Sequence, residues 1–287
     1  MKSICIKVSN SKTINYLLTK INQIQIDNVY FSLKKFKIYN NIIIHYKGNN
    51  TSLFLKKISD ILSSLIIDLY EEEIVQKLLQ SEYFYFNSLE QKQILENTIY
   101  DLYDEDEALN PEKMRYNLIS NSFYMYLNVH HSVLLKGFIT FRIKDYFEMI
   151  LEQIDKSVNK YIVEQEYTEF ISLLKMYINS EKSKCDLIHL VYSSSNPILL
   201  DSNKNFISLD LNTLGAKYLS DISFSSNDFA LNTLLNLVPK KIYVHLAPDN
   251  CKDEFLNTLK LVFEDRLVFC NDCSICNFYK NQKSRIF

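Results

Sequence analysis

Three cysteines near the C-terminal end of the 287-residue chain, Cys270, Cys273 and Cys276, are separated by two-residue gaps. Such gaps let successive thiolates turn toward one centre, as in zinc and iron–sulfur ligand runs. Three thiolates fall short of a closed tetrahedral shell, and geometry offers a fourth ligand. If residues 242–246 and 267–270 are neighbouring parallel strands, their carboxyl ends lie on one edge. That edge would carry His245, the helix start near Cys251, and Cys270. Backbone N–H groups at that helix start would also favour the thiolate form. Zinc suits a shell completed by His245 or Cys251, whereas the usual iron–sulfur run needs one more cysteine. The competing reading is inert: a cysteine at the end of a buried strand, with Cys273 and Cys276 in an exposed tail. Cys5 and Cys185 are isolated in strand or loop contexts and read as core or chance thiols.

Other candidate chemistry is thinner. Arg142 and Lys144 form a cationic pair that could recognise a carboxylate or phosphate, since a guanidinium fork binds either in bidentate fashion. The adjacent His130 and His131 point to different helix faces, which predicts one buried and one exposed. His45 and His189 fall in strand-like runs and read as ordinary sheet residues. Glu166 and Glu169 share a helix face but lack a Glu-x-x-His companion, so they read as a solvated face. Lys34, Lys35 and Lys37 alternate with Phe36 and Tyr39, a mixture that resembles single-strand nucleic acid platforms. A protected edge strand explains the same lysines. The net charge of -2 favours that second explanation and argues against nucleic acid binding.

The three glycines, Gly48, Gly137 and Gly215, exclude a Walker loop, a GxGxxG dinucleotide turn and a GxSxG elbow. No catalytic constellation can be read, so the sequence leans away from an enzyme. The start of the chain lacks an apolar signal region, and the charge-free stretch 116–135 is too polar for a bilayer span. A cytoplasmic protein without a membrane span is the expectation.

The elements that must position these residues follow from periodicity. Ile4, Ile6 and Val8 alternate; Ile14, Leu17, Leu18 and Ile21 step helically; Val29, Phe31 and Leu33 alternate again, and residues 42–46 form a short apolar run. From Ser52 a wide apolar stripe runs through Leu69, where Glu71, Glu72 and Glu73 interrupt it and predict a break or phase shift near Glu72, with Val75, Leu78 and Leu79 starting a new face. The acidic cluster from Asp101 to Glu107, followed by Asn110-Pro111, ends another helix and is a linker candidate. Helical spacing then resumes from Phe147 to Tyr177. After Lys184 the pattern turns to strands at 187–192, 198–200 and 206–209, a helix near 228–238, and a strand, helix, strand unit over 242–270. The fold class is therefore α+β. It comprises a small N-terminal strand and helix unit at 1–50, a helical region at 51–183, and a C-terminal α/β unit with a mixed sheet and a cysteine-rich tail at 184–287.

One string in the middle carries a resemblance. Leu135-Lys-Gly137-Phe138-Ile-Thr-Phe141-Arg142-Ile-Lys144-Asp-Tyr146, then Tyr161, then Glu166-Tyr167-x-Glu169-Phe170-Ile-x-Leu173-Leu174, resembles the YtxC-like family of sporulation-associated proteins. The likeness is clearest over about Leu135 to Leu200, and the Cys-x-x-Cys-x-x-Cys tail adds to it. Read without the family, Gly137 permits a close backbone approach or a helix break ahead of Phe138. The resemblance implies a cytoplasmic protein of low-GC, endospore-forming bacteria and supplies no catalytic residue. The leading expectation is a sporulation-associated protein acting through a protein partner. The alternative is a metal-dependent enzyme or sensing module built on the C-terminal thiols, with zinc or iron–sulfur as its cofactor.

Overall fold

The computed structural model describes residues 1–24, 26–104, 111–193, 196–207, 225–246, 253–270 and 272–283. The chain forms two compact units, Met1–Ile162 and Val163–Phe287.

The first unit opens with β1 (Lys2–Val8), α1 (Ser11–Asn22), β2 (Val29–Lys35) and β3 (Asn40–Tyr46). In β1 the alternation buries Ile4, Ile6 and Val8, and in β3 it buries Ile42, Ile44 and Tyr46. The antiparallel register sets Ile4 beside Ile44 and Ile6 beside Ile42, so both strands give one apolar face. Asn10 caps α1 by accepting a hydrogen bond from the Lys12 amide, and α1 buries Leu17 and Ile21. A stacked pair, Tyr46 on Phe54 with centroids 4.9 Å apart, ties β3 to the next helix. At Gly48 a side chain would run into the Tyr46 ring, so this turn needs glycine.

Helices α2 (Thr51–Glu82), α3 (Ser88–Leu102) and α4 (Pro111–Val129) follow, and β4 (Ser132–Leu134) returns to pair in parallel with β1. The sheet order is β2-β3-β1-β4. Helix α5 (Leu135–Arg142) and the long α6 (Lys144–Ser180) come next, and the boundary between the units falls inside α6. No break occurs near Glu72, since α2 runs unbroken from Thr51 to Glu82. Its buried face does shift there, from Leu55, Ile58, Leu62 and Leu65 to Glu71, Ile74, Val75 and Leu79, and the buried Glu71 pairs with the buried Arg115. Gly137 lies within α5, where a Cβ would meet only Leu134 at ordinary contact distance, so neither a helix break nor a close approach accounts for it.

The second unit holds β5 (Leu187–Ser193), β6 (Asn196–Leu200), α7 (Ser226–Leu237), β7 (Lys241–His245), α8 (Glu254–Phe263), a 3-10 turn (Glu264–Arg266), β8 (Leu267–Phe269) and α9 (Ser274–Lys283). Its sheet runs β6-β5-β7-β8, with β5, β7 and β8 parallel and β6 antiparallel, which makes it the expected mixed sheet. One face, carrying Ile188, Leu190, Tyr192, Ile242 and Val244, forms a core with side chains of α7 and α8. The other face packs Val191 and Leu200 against Ile275 of α9. The third strand expected at 206–209 is reduced to one bridge between Phe206 and Leu200, and residues 208 and 209 lie outside the described ones. The observed architecture is α+β.

Candidate metal centre

The parallel pairing of β7 and β8 puts the ends of both strands side by side. The Cys270 amide extends the ladder by donating to the Val244 carbonyl at 2.9 Å, which sets Cys270 beside His245. From there the chain turns into α9, whose start carries Cys273 and Cys276. Ligand atoms of His245, Cys270, Cys273 and Cys276 all lie within 4.8 Å of one another. His245 Nδ1 is 3.4 Å from Cys273 Sγ and 3.5 Å from Cys276 Sγ. Cys276 Sγ is 3.7 Å from Cys273 Sγ and 3.9 Å from Cys270 Sγ. A tetrahedral ion with ordinary zinc–sulfur and zinc–nitrogen bonds would separate two sulfurs by about 3.8 Å and a sulfur from a nitrogen by about 3.6 Å. The four side chains could hold a metal ion.

The surroundings prepare the donors. Only 2% of His245 is exposed, and its Nε2 pairs with His189 Nδ1 at 2.9 Å. With the His245 proton on Nε2, Nδ1 keeps a free lone pair toward the thiols, the arrangement a ligating imidazole needs. Burial, and after it the charge of His189, holds the His245 pKa down at about 4, so the ring is neutral at pH 7. Burial and then the charge of Lys204 hold His189 below the usual histidine value as well. The His189 ring stacks on Tyr243, with centroids 5.9 Å apart, which fixes its orientation. Among the thiols, burial and then the thiol contacts of Cys273 and Cys276 push Cys270 up to about 12. Burial acts to raise Cys273 too, but N–H groups of Cys276 and Ile275 and contacts from the other two thiols outweigh it and lower its pKa. Leu246, next to the histidine, has φ 59, so the backbone leaves β7 through the left-handed region.

The structure thus brings together His245 and the three cysteines, while Cys251 lies outside the described residues. Sequence reasoning missed His189, because a histidine in an alternating run says nothing of its neighbour on the next strand. Arg142 and Lys144 belong to the first unit, at the end of α5 and the start of α6. Both are exposed. The Arg142 guanidinium lies 5.7 Å from the Tyr126 ring centroid and lines a groove of about 550 Å³ with Tyr126, His130 and Phe138, which Lys144 does not line. His130 and His131 are both exposed, against the expectation of one buried, because they sit past the end of α4 instead of within it. Glu166 and Glu169 are exposed on α6. Lys34 and Lys35 belong to the edge strand β2.

Comparison with known proteins adds a family. The sequence profile of the YtxC-like family matches residues 56–268, a span that reaches β8 and ends short of Cys270. The chain is 21% identical over 243 residues to the "Uncharacterized protein YtxC" of Bacillus subtilis (strain 168), covering 79% of this chain and 84% of that relative. No solved structure matches.

Proposed function

The chain belongs to the YtxC-like family, and from that premise we propose that it is a zinc-holding cytoplasmic protein that serves sporulation through contacts with a protein partner. The observation that carries the metal half is the set of sulfur–sulfur and sulfur–nitrogen separations, 3.4 to 3.9 Å for four of the pairs and under 4.8 Å for all, which suit a tetrahedral ion. Three thiolates and one imidazole match the Cys₃His shell of structural zinc sites. Four protein ligands leave no open position for substrate or water, which supports a scaffold over a metal-dependent enzyme. Zinc here would hold the start of α9 against the ends of β7 and β8. The sporulation half rests on the family resemblance of the string from Leu135 to Tyr146 and of the following helix.

Elemental analysis of the full chain, purified without a metal-affinity tag, tests the reading. About one equivalent of zinc is expected in the wild type, falling sharply in Cys276→Ser, because structural zinc binds with on the order of 10 kcal/mol and survives purification. Less than about a tenth of an equivalent of any transition metal in anaerobic preparations would overturn it.

A further inference from the structure

Among the described residues, the face of the second sheet that carries the metal cluster is covered only in part, by α9. Val191, Leu200 and Ile275 form a small buried group there, with Ile198 and Tyr279 packed against it. Beside this group lies a cavity of about 450 Å³ between the loop after β6 and one side of α9. Leu200, Ile275 and Tyr279 contribute its apolar lining, while Phe206, 73% exposed, and Phe278, 58% exposed, contribute rings from the two walls. Large aromatic rings left this open around a concave apolar surface are what a bound apolar body would cover.

Among the described residues, one charged side chain lines the cavity, that of Lys204. Its loop is closed on itself: Asp201 Oδ1 accepts from the amides of Asn203 and Asn205, both at 2.8 Å, and the Asp201 amide donates to the Asn205 carbonyl at 2.9 Å. Asp201 is thereby engaged within the loop. Lys204 sits at φ 65, in the left-handed region, between two asparagines that would tolerate that conformation more readily. A lysine held rigidly in a disfavoured conformation at a cavity rim is a candidate for ligand recognition. No acidic side chain lines the cavity among the described residues. A lone ammonium is a point charge suited to one carboxylate, whereas bidentate phosphate recognition favours arginine.

We infer that this cavity binds a small amphipathic carboxylate, with its apolar body against Leu200, Ile275, Phe206 and Phe278 and its carboxylate on Lys204. The volume falls in the range of small-molecule sites, which is ample for a ten-carbon chain. A linkage follows from α9. Ile275 lies in the cavity wall between Cys273 and Cys276, so the helix that walls the cavity is the one the thiols anchor. Ligand capture and metal occupancy therefore favour each other, a clause that rests on the zinc reading above.

The test is isothermal titration of the purified full chain with decanoate, decanol and decyltrimethylammonium. Decanoate binding at about one equivalent, at least about tenfold tighter than decanol and without competition from the cation, is expected. Lys204→Met should erase the advantage of decanoate over decanol while leaving decanol binding in place. Lys204→Gly should give the same loss without lowering the melting temperature, because glycine accepts the left-handed backbone. No saturable decanoate binding, or decanoate binding unchanged in both Lys204 variants, overturns the cavity assignment. Decanoate affinity in Cys276→Ser should fall by about tenfold or more, and equal affinity removes the linkage. Protein that carries no metal yet binds decanoate in a Lys204-dependent way sinks the zinc reading alone. Zinc-loaded protein that ignores decanoate sinks the cavity alone.

Discussion

The thiols of the cluster differ in what their surroundings do to them. Cys270, pushed up to about 12 by burial and by its neighbours, stays protonated at neutral pH unless a metal displaces the proton. Cys273 lies at the start of α9, where N–H groups of Cys276 and Ile275 stabilise its thiolate and bring its pKa below the ordinary cysteine value. Since the thiolate is the nucleophile, metal-stripped protein treated with limiting iodoacetamide near pH 8 should be alkylated at Cys273 well before Cys270. Peptide mass spectrometry reads the order, and equal or reversed labelling would contradict this account. Restoring zinc should protect both. At this scale the sequence was informative where spacing is short. The two-residue gaps pointed to the three cysteines, and the strand, helix, strand pattern pointed to His245. His189 was silent, since its role depends on pairing β5 with β7, 56 positions along the chain.

At the scale of elements, the acidic run at 71–73 announced a change of face in α2 but not that Glu71 itself would be buried. Glu71 lies on the buried side of the second half of α2, among Ile67, Ile74 and Val75, apolar side chains whose burial is worth about 1.5–3 kcal/mol each. What permits this is a polar cluster drawn from four segments. Arg115 of α4 donates from Nε to Glu71 Oε2 at 2.9 Å, and Tyr146 of α6 donates to the same oxygen at 2.9 Å. Tyr103, just past α3, donates to Glu71 Oε1 at 3.0 Å, and Arg115 Nη1 donates to the Leu102 carbonyl. Burial, and after it the Glu71 charge, raises the Tyr146 pKa and pushes Tyr103 up to about 12, so both remain donors across the physiological range. Removing the guanidinium strands a buried carboxylate. Arg115→Met should therefore lower stability by about 3–5 kcal/mol in urea denaturation, and Arg115→Lys should recover only part of it because an ammonium cannot fork. A loss under about 1 kcal/mol would show that the cluster does not hold α2, α3, α4 and α6 together. Two other elements escaped the sequence for different reasons. With only three residues, β4 is too short for a period to register. Helix α9 buries Ile275 and Cys276 but exposes Asn277 and Phe278, so no continuous apolar stripe announces it.

For the whole molecule, the α+β class was legible because periodicity changes twice, from alternating to helical near residue 51 and back again near residue 187, where α2 and β5 begin. No helix among the described residues is long and apolar enough to cross a membrane. The family match at residues 56–268 takes in most of both compact units. The cysteines lie just beyond that match, whereas His245 lies within it. This arrangement gives the sporulation proposal a sharp form. Deleting the gene in the native host should reduce the yield or heat resistance of spores, and the wild-type gene supplied elsewhere should restore them. Cys276→Ser, expressed to the same level, should restore them poorly if the metal-held start of α9 serves the partner contact, while Lys34→Ala/Lys35→Ala/Lys37→Ala, on the edge strand β2 and the turn after it, should restore them fully. Normal sporulation in the deletion strain would remove the biological half of the proposal. Full rescue by a Cys276→Ser protein shown to lack zinc would separate the metal from that role, because a partner surface built on α9 cannot survive the loss of the ligands that anchor it.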